Sequence, residues 1–150
     1  MLDINTILDK VKSHAQSLGV FGSVNTFEPT TPSSNDVDCS IWLDEIIPVT
    51  SSGLASTSVC VTFTVAIYAN MLAEPYDETD AKLIRALDAL MTAYNGDFTL
   101  DGTIRDVDIF GRHTQGLRVT AEYFKPDGVL FRVLTITLPL IVNDVWEQEA

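Results

Sequence analysis

The sequence predicts an α+β domain: a mainly antiparallel sheet with two helices packed on it, in the order helix, two strands, helix, three strands. Two segments repeat apolar residues at helical spacing, others alternate with the two-residue period of a strand, and the last third is strand throughout. At 150 residues, 46% of them apolar, the chain reads as a single domain, residues 1–150. That length buries roughly two thirds of the unfolded surface without disulfides or metal.

The first helix is opened by Asp3 as its cap, and Ile4, Ile7, Leu8, Val11, Ala15 and Leu18 recur on one side of it. Gly19 follows the last apolar position as a C-terminal stop. The chain then passes through Phe21-Gly22-Ser23-Val24 into a loop, Glu28-Pro29-Thr30-Thr31-Pro32-Ser33-Ser34-Asn35. The stretch from Asp38 to Pro48 is a strand with an imperfect alternation, Ile41, Leu43 and Ile46 beside Trp42 and Ile47. Ser58 to Ala69 is the clearest strand. Val59, Val61, Phe63, Val65 and Ile67 fall on one face, for the helices to cover; Cys60, Thr62, Thr64, Ala66 and Tyr68 fall on the other, only half apolar.

The second helix is capped by Asp77 or Thr79, buries Leu83, Ile84, Leu87, Leu90 and Met91, and ends at Asn95-Gly96 through a residue that tolerates a left-handed conformation. Thr103 to Phe110 reads as an alternating strand with Asp106 and Asp108 on the face of Ile104 and Phe110. Leu117 to Phe124 and Val129 to Leu138 form a hairpin through Lys125-Pro126-Asp127-Gly128, where Pro presets a turn and Gly takes a positive φ. Pro139 stops the ladder or marks its edge, leaving an apolar tail, Leu140 to Trp146.

Charge is the most unusual global property: nine Lys and Arg against 21 Asp and Glu, a formal net charge of −12. It argues against binding nucleic acid by phosphate neutralisation, and equally against an anionic membrane surface. Acidity either keeps an adhesive domain soluble or gives a surface that DNA slides past. The longest apolar run, from Val129 to Val142, is broken by Arg132, Thr135, Thr137 and Pro139 and is shorter than the about 20 residues that span a bilayer. No basic segment followed by an apolar block opens the chain, so a protein made and used in the cytoplasm is expected.

No residue set points to catalysis, a cofactor or a metal. Cys39 and Cys60 match no metal spacing and read as small buried hydrophobes. His14 and His113 are isolated. Asp36 and Asp38, with Asp44-Glu45, flank one strand, while Asp101, Asp106 and Asp108 surround another. Asp-x-Asp on a strand suits a divalent cation, but a solvated face is the commoner explanation. Gly111 to Gly116 has the glycine spacing of a phosphate loop without its Lys-Ser/Thr.

Two segments suit contact with another protein. Residues 50–57 form a small, polar tip centred on Leu54, and the tail beyond Pro139 carries Trp146, which either folds back on its own core or docks into a neighbour. The opening Met1-Leu2-Asp3-Ile4-Asn5-Thr6-Ile7-Leu8-Asp9-Lys10-Val11, the loop Gly53-Leu54-Ala55-Ser56-Thr57-Ser58 and the close from Leu134 through Pro139 to Trp146 resemble tail-completion proteins of long-tailed bacteriophages. The resemblance spans nearly the whole chain and is nearest to tail terminators of phages infecting actinobacteria.

That resemblance implies a structural virion protein, not an enzyme. It implies a ring, typically a homo-hexamer, at the head-proximal end of the tail. The ring would cap the tail tube and meet the head–tail connector or stopper, with DNA passing through unbound. Assembly would take place in the host cytoplasm. Ser51, Gly53, Leu54, Ser56, Ile141, Val142, Val145 and Trp146 are then the candidate contacts with neighbouring subunits or the tube. Asp101, Asp106 and Asp108 are the candidates for an acidic lumen. The alternatives are another head–tail joining protein (adaptor or stopper), a tail tube subunit, or a small metal-dependent hydrolase using the Asp36/Asp38 or Asp106/Asp108 pairs.

Overall fold

The computed structural model describes residues 3–26, 37–49, 56–70, 79–96, 98–100, 102–112, 116–124 and 131–147. The elements run α1 (Ile4–Ser17), β1 (Ser23–Asn25), β2 (Asp38–Pro48), β3 (Ser56–Asn70), α2 (Thr79–Asn95), β4 (Asp106–Val107), β5 (Arg118–Phe124) and β6 (Phe131–Glu147). This is the α+β fold the sequence predicts, with one added strand. The strands form one sheet in the order β1-β2-β3-β6-β4, and β5 also pairs with β6. All pairings are antiparallel except the short parallel one between β1 and β2.

The alternation in β3 sets the core. Val59, Val61, Phe63, Val65 and Ile67 are all fully buried, and opposite them β6 contributes Leu134, Ile136, Leu138 and Leu140. Both helices lie on this face. α1 brings Ile7, Val11 and Ala15, one turn apart, over β1 and β2; α2 brings Leu83, Ala86, Leu90 and Tyr94 over β3 and β6. Asp3 caps α1 as expected: its carboxylate accepts from the Thr6 backbone N–H at 3.1 Å and from the Thr6 hydroxyl at 2.7 Å. Those two bonds hold the Asp3 pKa below its ordinary value. Gly19 ends the helix at φ 68, where a side chain would be strained.

The imperfect alternation of the second strand has a physical origin. The β2–β3 register shifts between Leu43 and Glu45, so Asp44 is the extra residue of a bulge. Before it, the odd-numbered Ile41 faces the helices; after it, the even-numbered Ile46 does, while Trp42 and Ile47 pack on the opposite face.

Other expectations are corrected. Residues 23–25, read as the start of a loop, form β1, because Ser23–Asn25 lies parallel to Asp38–Ser40 and the Ser23 hydroxyl donates to the Asp38 carboxylate at 2.8 Å. Pro139 neither stops the ladder nor sits at its edge. It pairs with Thr62, and its carbonyl accepts from the Asp108 N–H at 3.0 Å, on the side away from β3. A strand residue's N–H and C=O point the same way, so the missing proline donor faces the junction where β5 ends at Thr137 and β4 begins at Leu140. No β3 hydrogen bond is lost there.

Ile84, expected in the buried face of α2, is 58% exposed, since it lies one residue off the stripe formed by Leu83, Ala86, Leu90 and Tyr94. That helix ends at Asn95, but neither Asn95 nor Gly96 is among the positive-φ residues. Instead the Asn95 side-chain amide donates to the Met91 carbonyl at 2.8 Å and the Gly96 N–H to the Ala93 carbonyl at 3.2 Å. The hairpin turn at residues 125–128 lies outside the described residues, though its flanks pair as a hairpin requires, Phe124 opposite Phe131.

Truncating a fully buried side chain on the covered face should be costly. Leu138→Ala is expected to lose about 2–5 kcal/mol in urea unfolding, and Ile84→Ala, at the exposed flank of α2, no more than about 0.5 kcal/mol.

Candidate assembly surface

The order of strands leaves two sheet margins. At one, β1 covers only Asp38 to Ser40 of β2, so the outer backbone edge of residues 41–48 has no partner strand among the described residues. Leu43 is 40% exposed there, and Asp44 and Glu45 are exposed beside it. A bulge, adjacent carboxylates and Pro48 are the features that keep an open edge from pairing indiscriminately. At the other margin, β5 pairs with β6 on one side and with no described strand on the other. Arg118, Thr120, Ala121, Glu122 and Tyr123 are all exposed along it. Arg132 reaches from β6 over the Tyr123 ring, 4.6 Å from its centroid.

Beside β5 the chain builds a compact loop after β4. The strand expected from Thr103 to Phe110 is reduced to Asp106–Val107, because the backbone turns immediately afterwards. Asp108 is 2% exposed, and its carboxylate accepts the Arg112 backbone N–H at 2.8 Å. The Leu117 N–H donates to the Ile109 carbonyl at 3.1 Å, closing the base of the loop. Gly111 and Gly116 both adopt positive φ, 76° and 83°. At Gly116 a Cβ would lie 2.9 Å from both the Gly111 nitrogen and the Ile109 oxygen, so only glycine lets the two arms approach. Phe110 is displayed on this scaffold at 93% exposure. Asp106 lies between two guanidinium groups, 3.6 Å from Arg105 and 3.9 Å from Arg112.

The sheet face opposite the helices is more polar and partly buried. Ser40 and Tyr68 share a hydrogen bond at 3.1 Å between β2 and β3, and the Thr135 hydroxyl donates to Glu122 at 3.2 Å between β6 and β5. Two small apolar clusters complete it: Cys60, Val49 and Ile141, and Ala66, Tyr68 and Val133. Burial pushes the Tyr68 hydroxyl above its ordinary pKa. Cys39 and Cys60 lie on opposite faces, in register with Ile67 and Ile47 respectively, and cannot form a disulfide with each other. Burial, with Asp38 adjacent, pushes the Cys39 thiol up to about 12, so it is unreactive near neutral pH.

The tail expected to leave the sheet after Pro139 stays in it. Val142 pairs with Val59, Trp146 with Thr57 and Glu147 with Ser56, so the backbone through Val145 and Trp146 extends β6 and is not a free arm. Ile141 is 1% exposed and Val142 half-buried against the main core. The physical reason is the proline geometry above, which costs β3 no bond. Ser56 opens β3. Ser51, Gly53 and Leu54 lie outside the described residues, as do Asp36, Asp101 and His113. Asp106 and Asp108 do not form one acidic face: Asp108 is spent inside the loop and Asp106 is flanked by arginines. Asp38 is 2% exposed and bound by Ser23. Among the described residues no three His, Cys, Asp or Glu side chains converge as metal ligands.

His14 is the one described histidine. Its ring meets Phe98 edge-on at 4.7 Å and Tyr94 at 5.8 Å, beside the end of α2. Its Nδ1 and the Tyr94 hydroxyl are buried without hydrogen-bond partners. Burial lowers the His14 pKa and raises that of Tyr94.

Sequence reasoning missed the exposed residues of the two margins: Leu43, Phe110, Arg112 and Arg118. The broken alternation at residues 41–47 signalled the first; nothing in the local pattern distinguished Phe110 from a strand position. No protein-family model matches the chain, and no curated protein matches it. Among the described residues no helix is long and apolar enough to cross a membrane.

Two measurements check these assignments. Gly116→Ala is expected to destabilise the protein by about 1–3 kcal/mol, since the loop must open to admit the methyl group. For His14 the folded pKa is depressed, so the unfolded chain binds the proton first; stability is complete above about pH 6.5 and falls on acidification through the window below it. Melting temperature should therefore drop between pH 7.5 and 5.5, and drop less in a His14→Leu variant.

Proposed function

We propose that this chain is a ring-forming tail terminator of a long-tailed bacteriophage, capping the tail tube and joining it to the head connector while DNA passes through. The observation that carries the reading is the pair of dissimilar margins on one sheet: the bulged, acidic edge of β2 and the exposed edge of β5 with the Phe110 loop beside it. Two different open margins on one sheet permit head-to-tail association, and head-to-tail contacts that close on rotation make rings.

Two further features support it. The net charge of −12 suits a passage that must not hold DNA by its phosphates. The opening and closing segments that resemble tail-completion proteins are α1 and β6, the helix over the β1–β2 side and the strand at the centre of the sheet.

Light scattering of the purified chain, repeated with isolated tails, tests the reading. The expected result is a closed oligomer, in solution or at one tail end, present as a single layer. Labelling along the whole tube would instead identify a tube subunit. A chain that stays monomeric in solution and never associates with tail ends would overturn the proposal.

A further inference from the structure

The register of the sheet sets its two margins level with each other. One rung runs from Trp42 through Thr64 and Thr137 to Arg118. Another runs from Glu45 through Thr62 to Pro139, whose carbonyl binds the Asp108 N–H. The rungs that end on β2 at residues 42–45 therefore end on the far margin at Arg118 and Asp108. Phe110 and Arg112 stand between those two positions in the chain, on the loop closed by the Leu117–Ile109 hydrogen bond.

The two ends of these rungs differ in charge. β2 contains no Lys or Arg, and its bulge exposes Leu43, Asp44 and Glu45 together. The far margin holds Arg105, Arg112 and Arg118, three of the chain's nine basic residues. Asp106 and Asp108 offset part of that charge, and Glu122 on β5 lies on the rung that ends at Asp38, away from the bulge. The Arg112 side chain is 71% exposed, and its 3.9 Å approach to Asp106 is long enough to be exchanged for a better partner. Copies carrying −12 each repel one another, so a contact between them must set scarce cations against carboxylates.

Resting on the ring reading above, we propose that the subunit contact seats Phe110 of one copy against Leu43 at the β2 bulge of the next, with Arg112 and Arg118 paired to Asp44 and Glu45. Phe110 is the apolar anchor, placed between the Arg112–Asp108 and Leu117–Ile109 hydrogen bonds, and the charged pairs around it set register and exclude wrong partners. Both halves lie on the same rungs at opposite margins, so one copy can make the contact on each side at once.

A charge-swap experiment tests this. One variant carries Arg112→Glu with Arg118→Glu; the other carries Asp44→Arg with Glu45→Arg. All four side chains are exposed, and the Arg112 N–H bond to Asp108 is a backbone bond that survives. Each variant alone faces like charge at every contact and should associate at least about tenfold more weakly than wild type. Mixed in equal amounts they should recover wild-type oligomers containing both chains alternately, because every contact is again complementary. Phe110→Ala should weaken association by about tenfold or more while the circular dichroism spectrum of the folded chain stays unchanged. A photoreactive phenylalanine analogue at position 110 should capture a second copy of the chain.

Wild type that assembles while the variants assemble equally well overturns this contact and leaves the ring standing. A mixture no better than its components, or capture at position 110 of a different protein only, does the same. Wild type that assembles neither in solution nor on tails overturns both.

Discussion

The antiparallel pairing of β3 with β6 is the constraint on which the rest of the structure depends. It runs from Ser56 opposite Glu147 to Asn70 opposite Phe131, in one continuous register from Val59 onward after a shift between Thr57 and Val59. On its covered face, Val59, Val61, Phe63, Val65 and Ile67 meet Leu134, Ile136, Leu138 and Leu140, and each large aliphatic side chain so buried is worth about 1.5–3 kcal/mol. Slipping the register by one residue would turn that whole set toward the polar face, so the register is fixed by burial. Every other element is positioned by reference to this pair.

Two irregularities keep the pair compatible with its neighbours. The bulge at Asp44 changes which residues of β2 face the helices, bends the strand, and places two carboxylates on an open edge. Pro139 falls at the rung where β6 changes partner from β5 to β4, the place where a strand residue without an N–H costs nothing. Both would be faults in an idealised sheet. Here each coincides with a boundary between margins and interior.

The margins give the ring reading its physical content. A strongly acidic chain associates with copies of itself most readily where its basic and apolar residues meet, and Arg105, Arg112 and Arg118 lie around the exposed Phe110 at this margin. The described ends of the loop after β4 are tied by a group that looked like a functional acid and by a glycine. Asp108 is a structural carboxylate holding the Arg112 backbone, and Gly116 permits an approach no side chain would allow. The second sheet face is knit by Ser40–Tyr68 and Thr135–Glu122 bonds, and among the described residues both helices lie on the other face.

By itself the sequence determined the fold class, both helices with the Asp3 cap and the Gly19 stop, the β2, β3 and β5 segments, and the faces of β3. These follow from short-range rules: spacing of 3.6 or 2, a capping carboxylate, a glycine where φ is positive. The alternation also held the β2 bulge, visible as a change from odd to even apolar positions. Only the tertiary structure decided the rest. A three-residue parallel strand such as β1 has no pattern of its own and exists because β2 lies beside it. Whether Pro139 ends a strand depends on which neighbour its missing donor faces, and whether Asp108 is a surface acid depends on a backbone N–H four residues away. The margins were illegible for the same reason. Phe110 looks like any apolar strand residue, and the broken alternation around Leu43 marks a bulge without showing that the edge beside it lacks a described partner, because no local rule records what lies across a sheet.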